Sequence, residues 1–543
     1  MTRSTSPRRP AAKSDFLSRF RGLISGRFAG PVSAVGSGVL LSLSFPNAGL
    51  MPLVFVALVP LFVWMQREPA GPAASSALAP AARGSGWVPW ITGIVFNAIL
   101  FGWLVRLPSR AMTHPWIIFP ALLALALYLG FYVALFGWIT RFIRRRVGWS
   151  PLAVAPAVWA ATEWLKSFGP LGCPWGNVGY ALAEHPAWIQ GAALVGAPGL
   201  SVWIVCVNAL FAGAYTTRRW AARAAFAVLA VGLVVVPVVW GNARIRDYRP
   251  GETVHVALVQ PNIGSDEKWD AAHQERSIRT LFRITSEAMA REPKPDLVVW
   301  PETALPFYVR LETQKLARVF ELAKELNVPI LIGYPDATLS TSGAVTTHNA
   351  AGLFLPTGTI VAQYEKIHLV PFGERIPFQG ILPFLGKIDL GQAEWTPGTK
   401  PIIFPFRNAP FGVLICFESI FPGLARDYGI DGARWLVNIT NDEWFGPTAA
   451  PRQHADMAIL RCVEQELGMG RCANTGISMI IDPVGRVTRR SPLFEEALVA
   501  GDVVLGGKPT LFRLWGDWLT GLCLGLVIAL TLLGWYRPLR RDI

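Results

Sequence analysis

The sequence predicts an α-helical membrane domain of about eight transmembrane helices together with an α/β domain, and three observations carry that expectation. Of the 543 residues, 52% are hydrophobic and only 16% charged, giving a mean hydropathy of +0.37, too apolar for soluble domains alone. Apolar runs close to the ~20 residues that a helix needs to cross the hydrocarbon recur through the first part of the chain and once more near its end. Between them, over residues 251–506, short β-branched runs alternate with helical patterns, which is the pattern of α/β structure.

Taken in order, residues 1–28 are basic and poor in core formers, and read as a cytoplasmic tail. Seven apolar segments, at 29–45, 49–66, 88–105, 116–140, 151–168, 191–214 and 223–241, make up a transmembrane domain over 29–241. No small-residue cleavage site follows the first of them, so it reads as a retained span and not as a removable signal peptide. The shortest elements are the first pair, turned at Pro46 and Asn47, and 151–168, which ends in the charged Glu163 and Lys166. Residues 242–514 form the large domain, 515–535 an eighth span, and 536–543 a second cytoplasmic tail. Tryptophans at the ends of these runs (Trp87, Trp90, Trp103, Trp116, Trp138, Trp240, Trp515, Trp518 and Trp535) fit anchoring at the membrane interface.

The formal net charge of +14 and the pI near 9.8 raise nucleic acid as a partner, and the positions of the basic residues exclude it. Arg3, Arg8, Arg9, Lys13, Arg19, Arg21 and Arg27 precede the first span, and Arg537, Arg540 and Arg541 follow the last. Between later pairs lie Arg67 and Arg83, then Arg141, Arg144, Arg145 and Arg146, then Arg218, Arg219 and Arg223. These clusters account for the excess charge, so no basic face remains for DNA or RNA and the basicity is a topology signal. With a cytoplasmic N-terminus, alternating spans put every cluster on the cytoplasmic side and residues 242–514 on the extracytoplasmic side.

The six cysteines (Cys173, Cys206, Cys416, Cys462, Cys472 and Cys523) form no C-x-x-C pair and show no zinc or disulfide spacing. Cys206 and Cys523 sit within apolar spans as packing residues. Residues 169–187, with Cys-Pro-Trp-Gly-Asn at 173–177, fall on the side of the large domain. They read as an ordinary interfacial loop, with the floor of a substrate entrance as the alternative.

In the large domain, strands are expected at 254–259, 297–300, 329–333, 349–355, 360–364, 412–415, 435–439 and 477–481, and helices at 268–291, 312–327, 419–429 and 450–472. Three stretches carry chemistry. Phe411-Gly-Val-Leu-Ile-Cys416-Phe-Glu418 delivers a thiol to the polar end of a buried strand, Asp296-Leu-Val-Val-Trp-Pro-Glu302 does the same with a carboxylate, and Ile360 to Lys366 carries a lysine past a strand end. A thiol attacks only as thiolate, so acyl transfer needs a base beside it and a positive group for the charge that develops on the carbonyl oxygen. Glu302, its acidity weakened by burial behind Trp300 and Pro301, suits the first task, and Lys366 suits the second. Singly, each residue has a plainer reading as core thiol, turn residue or surface charge. His368 and His454 show no orienting partner in the sequence, which counts against a Cys–His pair. No Walker loop, dinucleotide-binding glycine motif or metal-spaced histidine pair is present, so neither cofactor nor metal is expected.

Trp300-Pro-Glu-Thr303, Tyr364-Glu-Lys-Ile-His-Leu-Val-Pro-Phe-Gly-Glu374 and Cys416-Phe-Glu-Ser419, in this order within one domain, resemble the nitrilase or carbon–nitrogen hydrolase superfamily. With Asn438-Ile-Thr-Asn-Asp-Glu-Trp-Phe-Gly446, Gln453-His-Ala455, Arg461-Cys-Val-Glu464 and Asn474-Thr-Gly-Ile-Ser478, the resemblance narrows to the apolipoprotein N-acyltransferase family and covers nearly the whole chain.

The resemblance implies a nitrilase-like αββα sandwich and a bacterial inner-membrane location with the catalytic domain periplasmic; separately, a monomer is expected. The resemblance also implies that Cys416 takes an acyl chain from a membrane phospholipid as a thioester and passes it to the α-amine of a diacylglyceryl apolipoprotein. Glu302 is then the general base and Lys366 stabilises the oxyanion, with Glu374, Glu418 and Glu464 as supporting acidic positions and Trp269 and Trp444 as substrate-binding residues. Phe417 departs from the tyrosine of many relatives, which removes any hydroxyl role there. Leu305 to Tyr308, Ile381 to Leu385 and Trp444 to Gly446 are candidates either for lids dipping into the bilayer or for plain packing loops. The rival expectations are a membrane-tethered amidase or hydrolase using the same triad, and a non-catalytic scaffold or transporter.

Overall fold

The computed structural model describes residues 28–46, 49–67, 86–107, 115–264, 268, 271–339, 345–387 and 393–537. All eight expected apolar segments are helical. The first seven give α1 (Ala29–Leu43), α2 (Val59–Arg67, behind a 3-10 turn at Met51–Phe55), α3 (Trp87–Leu100, continued by a 3-10 turn at Gly102–Arg106), α4 (Ile118–Val147), α5 (Pro151–Lys166), α6 (Ala192–Thr216) and α7 (Trp220–Asp247).

Among the described residues, five helices are long and apolar enough to cross a membrane: Trp87–Arg106, Ile118–Val147, Ala192–Thr216, Trp220–Asp247 and Trp518–Tyr536. The other three hold 15, 9 and 16 residues, which at ~1.5 Å per residue falls short of a ~30 Å hydrocarbon core.

The bundle has two chemically different ends. At one, Arg144 donates to the Met65 and Gln66 carbonyls at the end of α2 (2.5 and 3.2 Å), and Arg67 lies over the Tyr215 ring at the end of α6. There too Arg146 reaches the Arg537 carbonyl. At the other end the helices meet the α/β layers: Arg244 of α7 pairs with Glu466 at 2.7 Å, and the Trp175 indole donates to Gln453 at 2.8 Å. Arg67, Arg144, Arg146 and Arg537 are thus gathered at the pole opposite the α/β domain, whereas Arg244 at the near end is paired with Glu466.

The α/β region contains β1 (Thr253–Gln260), α8 (Ala271–Met289), β2 (Leu297–Val299), α9 (Thr313–Leu326), β3 (Ile330–Leu339), β4 (Val345–Phe354), β5 (Ile360–Glu365), β6 (Ile403–Phe404) and β7 (Phe411–Ile415). It continues with α10 (Pro422–Ile430), β8 (Trp435–Thr440), α11 (Ala450–Gln465), β9 (Gly468–Ala473), β10 (Met479–Ile481), β11 (Val487–Arg490) and β12 (Ala497–Val504), and the chain closes with α12 (Trp518–Tyr536). Two six-stranded sheets form, ordered β12-β1-β2-β3-β4-β5 and β11-β10-β9-β8-β7-β6. Their facing sides share one buried apolar layer that includes Val256, Val299, Leu331, Val413, Val437 and Val503. Helices α8 and α9 cover the outside of the first sheet through Ile278, Leu281, Val319 and Leu322. Helices α10 and α11 cover the second, and their apolar residues belong to the same buried cluster as the membrane bundle. The architecture is the expected αββα sandwich, with its second helical layer laid on the bundle.

One expected helix ends early. The pattern at 450–472 gives a helix only to Gln465; Glu466 turns left-handed at φ 51°, and the chain returns as β9. Gly468-Met-Gly-Arg-Cys-Ala473 has no β-branched residue to mark it as a strand. Residues 169–187 also depart from the interfacial reading: their 3-10 turns at Pro174–Gly176 and Val178–Leu182 are buried. They wedge between bundle and sandwich, where the Tyr180 hydroxyl donates to the Ile420 carbonyl at 2.7 Å. Leu305 and Phe307 are core residues, whereas Ile381 and Phe384 are exposed.

Helix α6 is broken at Gly196 (φ 67°, ψ 178°). The break frees the Ala197 N–H from the helical ladder, and it donates to Glu464 at 2.8 Å. A Cβ at Gly196 would stand 2.3 Å from the Phe512 ring, in a backbone region that side chains disfavour. Gly196→Ala is expected to cost about 1–3 kcal/mol, read as a lower thermal midpoint of the detergent-solubilised protein.

Candidate active site

The candidate side chains stand where strands end. β1, β2 and β3 run parallel in one sheet, as do β7, β8 and β9 in the other, so their C-terminal ends share an edge of the sandwich. Glu302 follows β2 by three residues, Lys366 follows β5 directly, Cys416 follows β7 directly, and Asn441 and Asp442 follow β8. A buried apolar run giving way to polar residues is what the sequence offers after β2 and β7, whereas β5 is mixed and only partly buried.

Lys366 lies at the centre. Its Nζ is 2.8 Å from Glu374 Oε1 and 3.3 Å from Glu302 Oε1, and its side chain is fully buried. Burial alone would favour loss of its proton, but the two carboxylates outweigh it and hold the ammonium above its ordinary pKa. Glu302 is fixed at both oxygens: Oε1 accepts from Asn349 Nδ2 at 2.8 Å and Oε2 from the Asn441 N–H at 2.8 Å. The same Asn349 amide reaches Glu374 Oε1 at 3.2 Å, so one side chain of β4 spaces the two carboxylates about the lysine. Glu374 is closed off by the Val370 N–H at 2.8 Å. Behind Glu302, Lys268 donates to Thr303 Oγ1 at 2.9 Å and to the Glu302 carbonyl at 3.4 Å. Burial pulls its pKa down to about 8, against the opposing charges of Glu302 and Glu443.

Cys416 sits at an elbow between β7 and a 3-10 turn, with φ at +52°. A left-handed conformation costs a residue with a Cβ about 1–2 kcal/mol, so the surroundings must hold it. Glu418 supplies much of the hold. Its Oε2 accepts from the Ile415 N–H at 2.7 Å, and its Oε1 accepts from Tyr364 Oη (2.6 Å), the Ile367 N–H (2.7 Å) and the His368 N–H (3.1 Å). A single carboxylate thereby ties the thiol's elbow to the strand end that carries Lys366. The thiol's own pKa is pushed up by burial first and by the Glu302 anion next, with the Lys366 charge opposing both. The charges of Glu302 and Lys366 both act on the thiol, which makes the carboxylate the candidate base and the ammonium the candidate partner for developing negative charge.

Cys416, Glu302, Lys366 and Glu374 therefore come together, with Glu418 buried behind the elbow. Glu464 makes its bonds elsewhere: it pairs with Arg461 at 2.7 Å and accepts from the Ala197 N–H of α6. Trp444 is half exposed beside Phe445, whose ring packs on Trp103 and Trp175. Trp269 lies outside the described residues. Asn349, the Asn441 N–H and Lys268 went unrecognised in the sequence; a buried asparagine opening the apolar run Asn349-Ala-Ala-Gly-Leu-Phe354 was the available signal for the first.

His454 does have an orienting partner, contrary to the sequence-based expectation: Asp442 Oδ1 stands 2.9 Å from its Nδ1. Donor atoms of Cys416, Asp442 and His454 lie within 4.8 Å of one another. The guanidinium of Arg471, 2.9 Å from Asp442 Oδ2 and 3.2 Å from His454 Nδ1, already supplies the positive charge there, so the trio does not suit a cation.

Glu418 allows a pH test. Burial pushes its carboxyl up to about 7 against the bonds from Tyr364, Ile415 and His368 and the Lys366 charge, all of which favour the anion. Because this stands above the ~4.3 of a free glutamate, the folded protein holds the proton more tightly than the unfolded chain. Glu418's contribution to stability then falls as pH rises from about 4 to about 7. Glu418→Gln has no proton to lose, so its thermal midpoint is expected to change less with pH across that window than the wild type's; parallel slopes would contradict this.

Comparison with known proteins bears on the family of the chain. The family described as carbon-nitrogen hydrolase matches residues 255–507, and the apolipoprotein N-acyltransferase N-terminal domain matches residues 37–210. The apolipoprotein N-acyltransferase of Geobacter metallireducens is 35% identical over 93% of this chain and 95% of its own length. That of Chlorobaculum tepidum is 29% identical over 92% of this chain and 96% of its own. Among solved structures, Saccharomyces cerevisiae Nit3, a member of branch 10 of the nitrilase superfamily, is 20% identical, covers 47% of this chain and 91% of its own, and superposes with a TM-score of 0.36. Identity at this level over almost the full length of both chains, together with both matched regions, shows that the chain belongs to the apolipoprotein N-acyltransferase family, acyltransferases of the carbon–nitrogen hydrolase superfamily.

Proposed function

We propose that the protein transfers an acyl chain from a membrane phospholipid, through a thioester on Cys416, to the α-amine of an N-terminal diacylglyceryl-cysteine. The observation that carries this reading is the buried Lys366 held between Glu302 and Glu374, at the edge where Cys416 stands in its left-handed elbow. Sγ attacks the ester carbonyl of the phospholipid while its proton passes to Glu302. Lys366 receives the negative charge that gathers on the carbonyl oxygen, an interaction stronger in the tetrahedral intermediate than in the ester. Collapse breaks the ester C–O bond, and the departing alkoxide takes the proton back from Glu302, leaving a lysophospholipid and the thioester. In the second half the acceptor amine attacks the thioester carbon. With a pKa near ~8 the amine is partly neutral at physiological pH, and it passes one proton to Glu302. The C–S bond breaks, and the thiolate recovers that proton.

We place residues 29–241 and 515–535 in the bacterial inner membrane and residues 242–514 on its periplasmic face, with both tails cytoplasmic and the protein acting as a monomer. What supports the orientation is the pole of the bundle where Arg67, Arg144, Arg146 and Arg537 gather, since positive residues stay on the cytoplasmic side. The exposed Ile381 and Phe384 suit a loop that dips into the bilayer near the site, where both lipid substrates reside.

Mass spectrometry of the intact protein incubated with phospholipid tests the proposal. An acyl adduct is expected on Cys416 in the wild type and absent in Cys416→Ser and Lys366→Ala, with Glu302→Gln acylated roughly 10²–10⁴-fold more slowly. Full thioester yield in Lys366→Ala would remove the oxyanion role. Label released from phospholipid only as free fatty acid, never on a lipopeptide amine, would make the protein a hydrolase instead.

A further inference from the structure

We propose that His454, on α11, is a positioning residue for the nucleophile: it holds the main-chain carbonyl of Cys416 and so keeps the thiol at its left-handed elbow. His454 Nε2 is 3.0 Å from the Cys416 carbonyl oxygen. A carbonyl oxygen only accepts, so this contact fixes a proton on Nε2. Ser419 Oγ donates to the same oxygen at 3.0 Å and lies 3.2 Å from Nε2, which makes a closed three-point clamp. The clamp acts on the residue whose φ of +52° needs holding. Glu418 fixes the elbow from its N-terminal side, through the Ile415 N–H; His454 and Ser419 fix it from the carbonyl side.

The ring is itself held on every side. Asp442 Oδ1 meets Nδ1 at 2.9 Å. Asp442 is in turn gripped by Arg471 at 2.9 Å and by Thr440 Oγ1 at 3.0 Å. One face of the imidazole stacks on Trp175, with centroids 5.5 Å apart and planes 24° apart, and the Phe445 ring meets it edge-on at 5.9 Å. Trp175 comes from the wedge at 169–187 and is anchored to Gln453, the residue before His454. His454 and Asp442 are both fully buried. The imidazole is therefore the point at which bundle, second sheet and nucleophile meet. A histidine required only as filling would leave the thiol's reactivity unchanged when replaced by a side chain of similar size.

This role rests on Cys416 being the nucleophile, and the experiment separates the two ideas by reading the thiol without any acyl donor. In the full-length, detergent-solubilised protein, peptide-resolved mass spectrometry follows alkylation of Cys416 by iodoacetamide, and steady-state acyl transfer is measured in parallel. His454→Leu fills a similar volume without a donor, whereas His454→Gln keeps an N–H near the position of Nε2. His454→Leu is expected to be alkylated at Cys416 about tenfold more slowly and to lose about 10²-fold in kcat, the scale of a ~1 Å misplacement, with KM for phospholipid within about twofold. His454→Gln is expected to recover both rates to within about threefold. Wild-type rates in folded His454→Leu, a change confined to KM, or a folded His454→Gln as slow as His454→Leu would each overturn the proposal. Where His454→Leu does not fold, Asp442→Asn takes its place, with about a tenfold fall in kcat expected and an unchanged kcat overturning it. A wild-type thiol that is alkylated in this His454-dependent way yet never acylated would uphold the positioning role and remove the acyl-transfer reading.

Discussion

A single buried ammonium sets the terms for the rest of the site. The Lys366 side chain is fully buried, and its charge is held by Glu302 and Glu374, 3.3 and 2.8 Å away. An ion group of this kind is poor evidence for stability, since removing its three charges from water costs as much as their attraction returns. Its value is geometric. Moving any member exposes an unpaired charge in a dry interior, so the Asn349 amide, the Asn441 N–H and the Val370 N–H hold one arrangement and leave few others. The two sheets must then bring β2, β4, β5 and β8 to the same edge, which the αββα layering does.

The same economy governs Cys416, the proposed nucleophile. A cysteine in a left-handed conformation is unstable by itself, and the surrounding bonds are divided between the sandwich and the layer facing the bundle. Glu418 links the elbow to the end of β5. The carbonyl of Cys416 faces α11, and α11 shares its buried cluster with the membrane helices. Arg461 extends the arrangement: from the same helix it reaches Tyr180 in the wedge and the Ile420 carbonyl just past the elbow.

Much of this was readable in the chain itself. Cys416 and Glu302 each follow a buried apolar strand, a pattern visible without a structure, and Lys366 follows the mixed strand Ile360–Glu365. The eight apolar segments were equally visible, although three of them are too short to be counted as spans by length alone. What escaped was whatever depends on distant pairing. β12 was not expected, because its identity as a strand comes from eight paired residues of β1 more than two hundred positions away. β9 was hidden by glycines and by an arginine, Arg471, whose burial makes sense only once Asp442 and Asn438 are seen beside it. Asp442 and His454 are twelve residues apart, with a helix start between them, so no spacing rule pairs them. The wedge at 169–187 read as a surface loop because its tryptophan and tyrosine suit a membrane interface as well as a protein core.

The break in α6 carries a further consequence. Where the helix opens at Gly196, its freed N–H is spent on Glu464, a residue of the sandwich whose other partner is the equally buried Arg461. Severing the chain after α7 to obtain a freestanding soluble fragment would strip the lid from this ion pair and bare the apolar floor of α10 and α11 to water. Bundle and sandwich share one buried apolar cluster, so the helices are as much a wall of the α/β layers as they are a unit of their own.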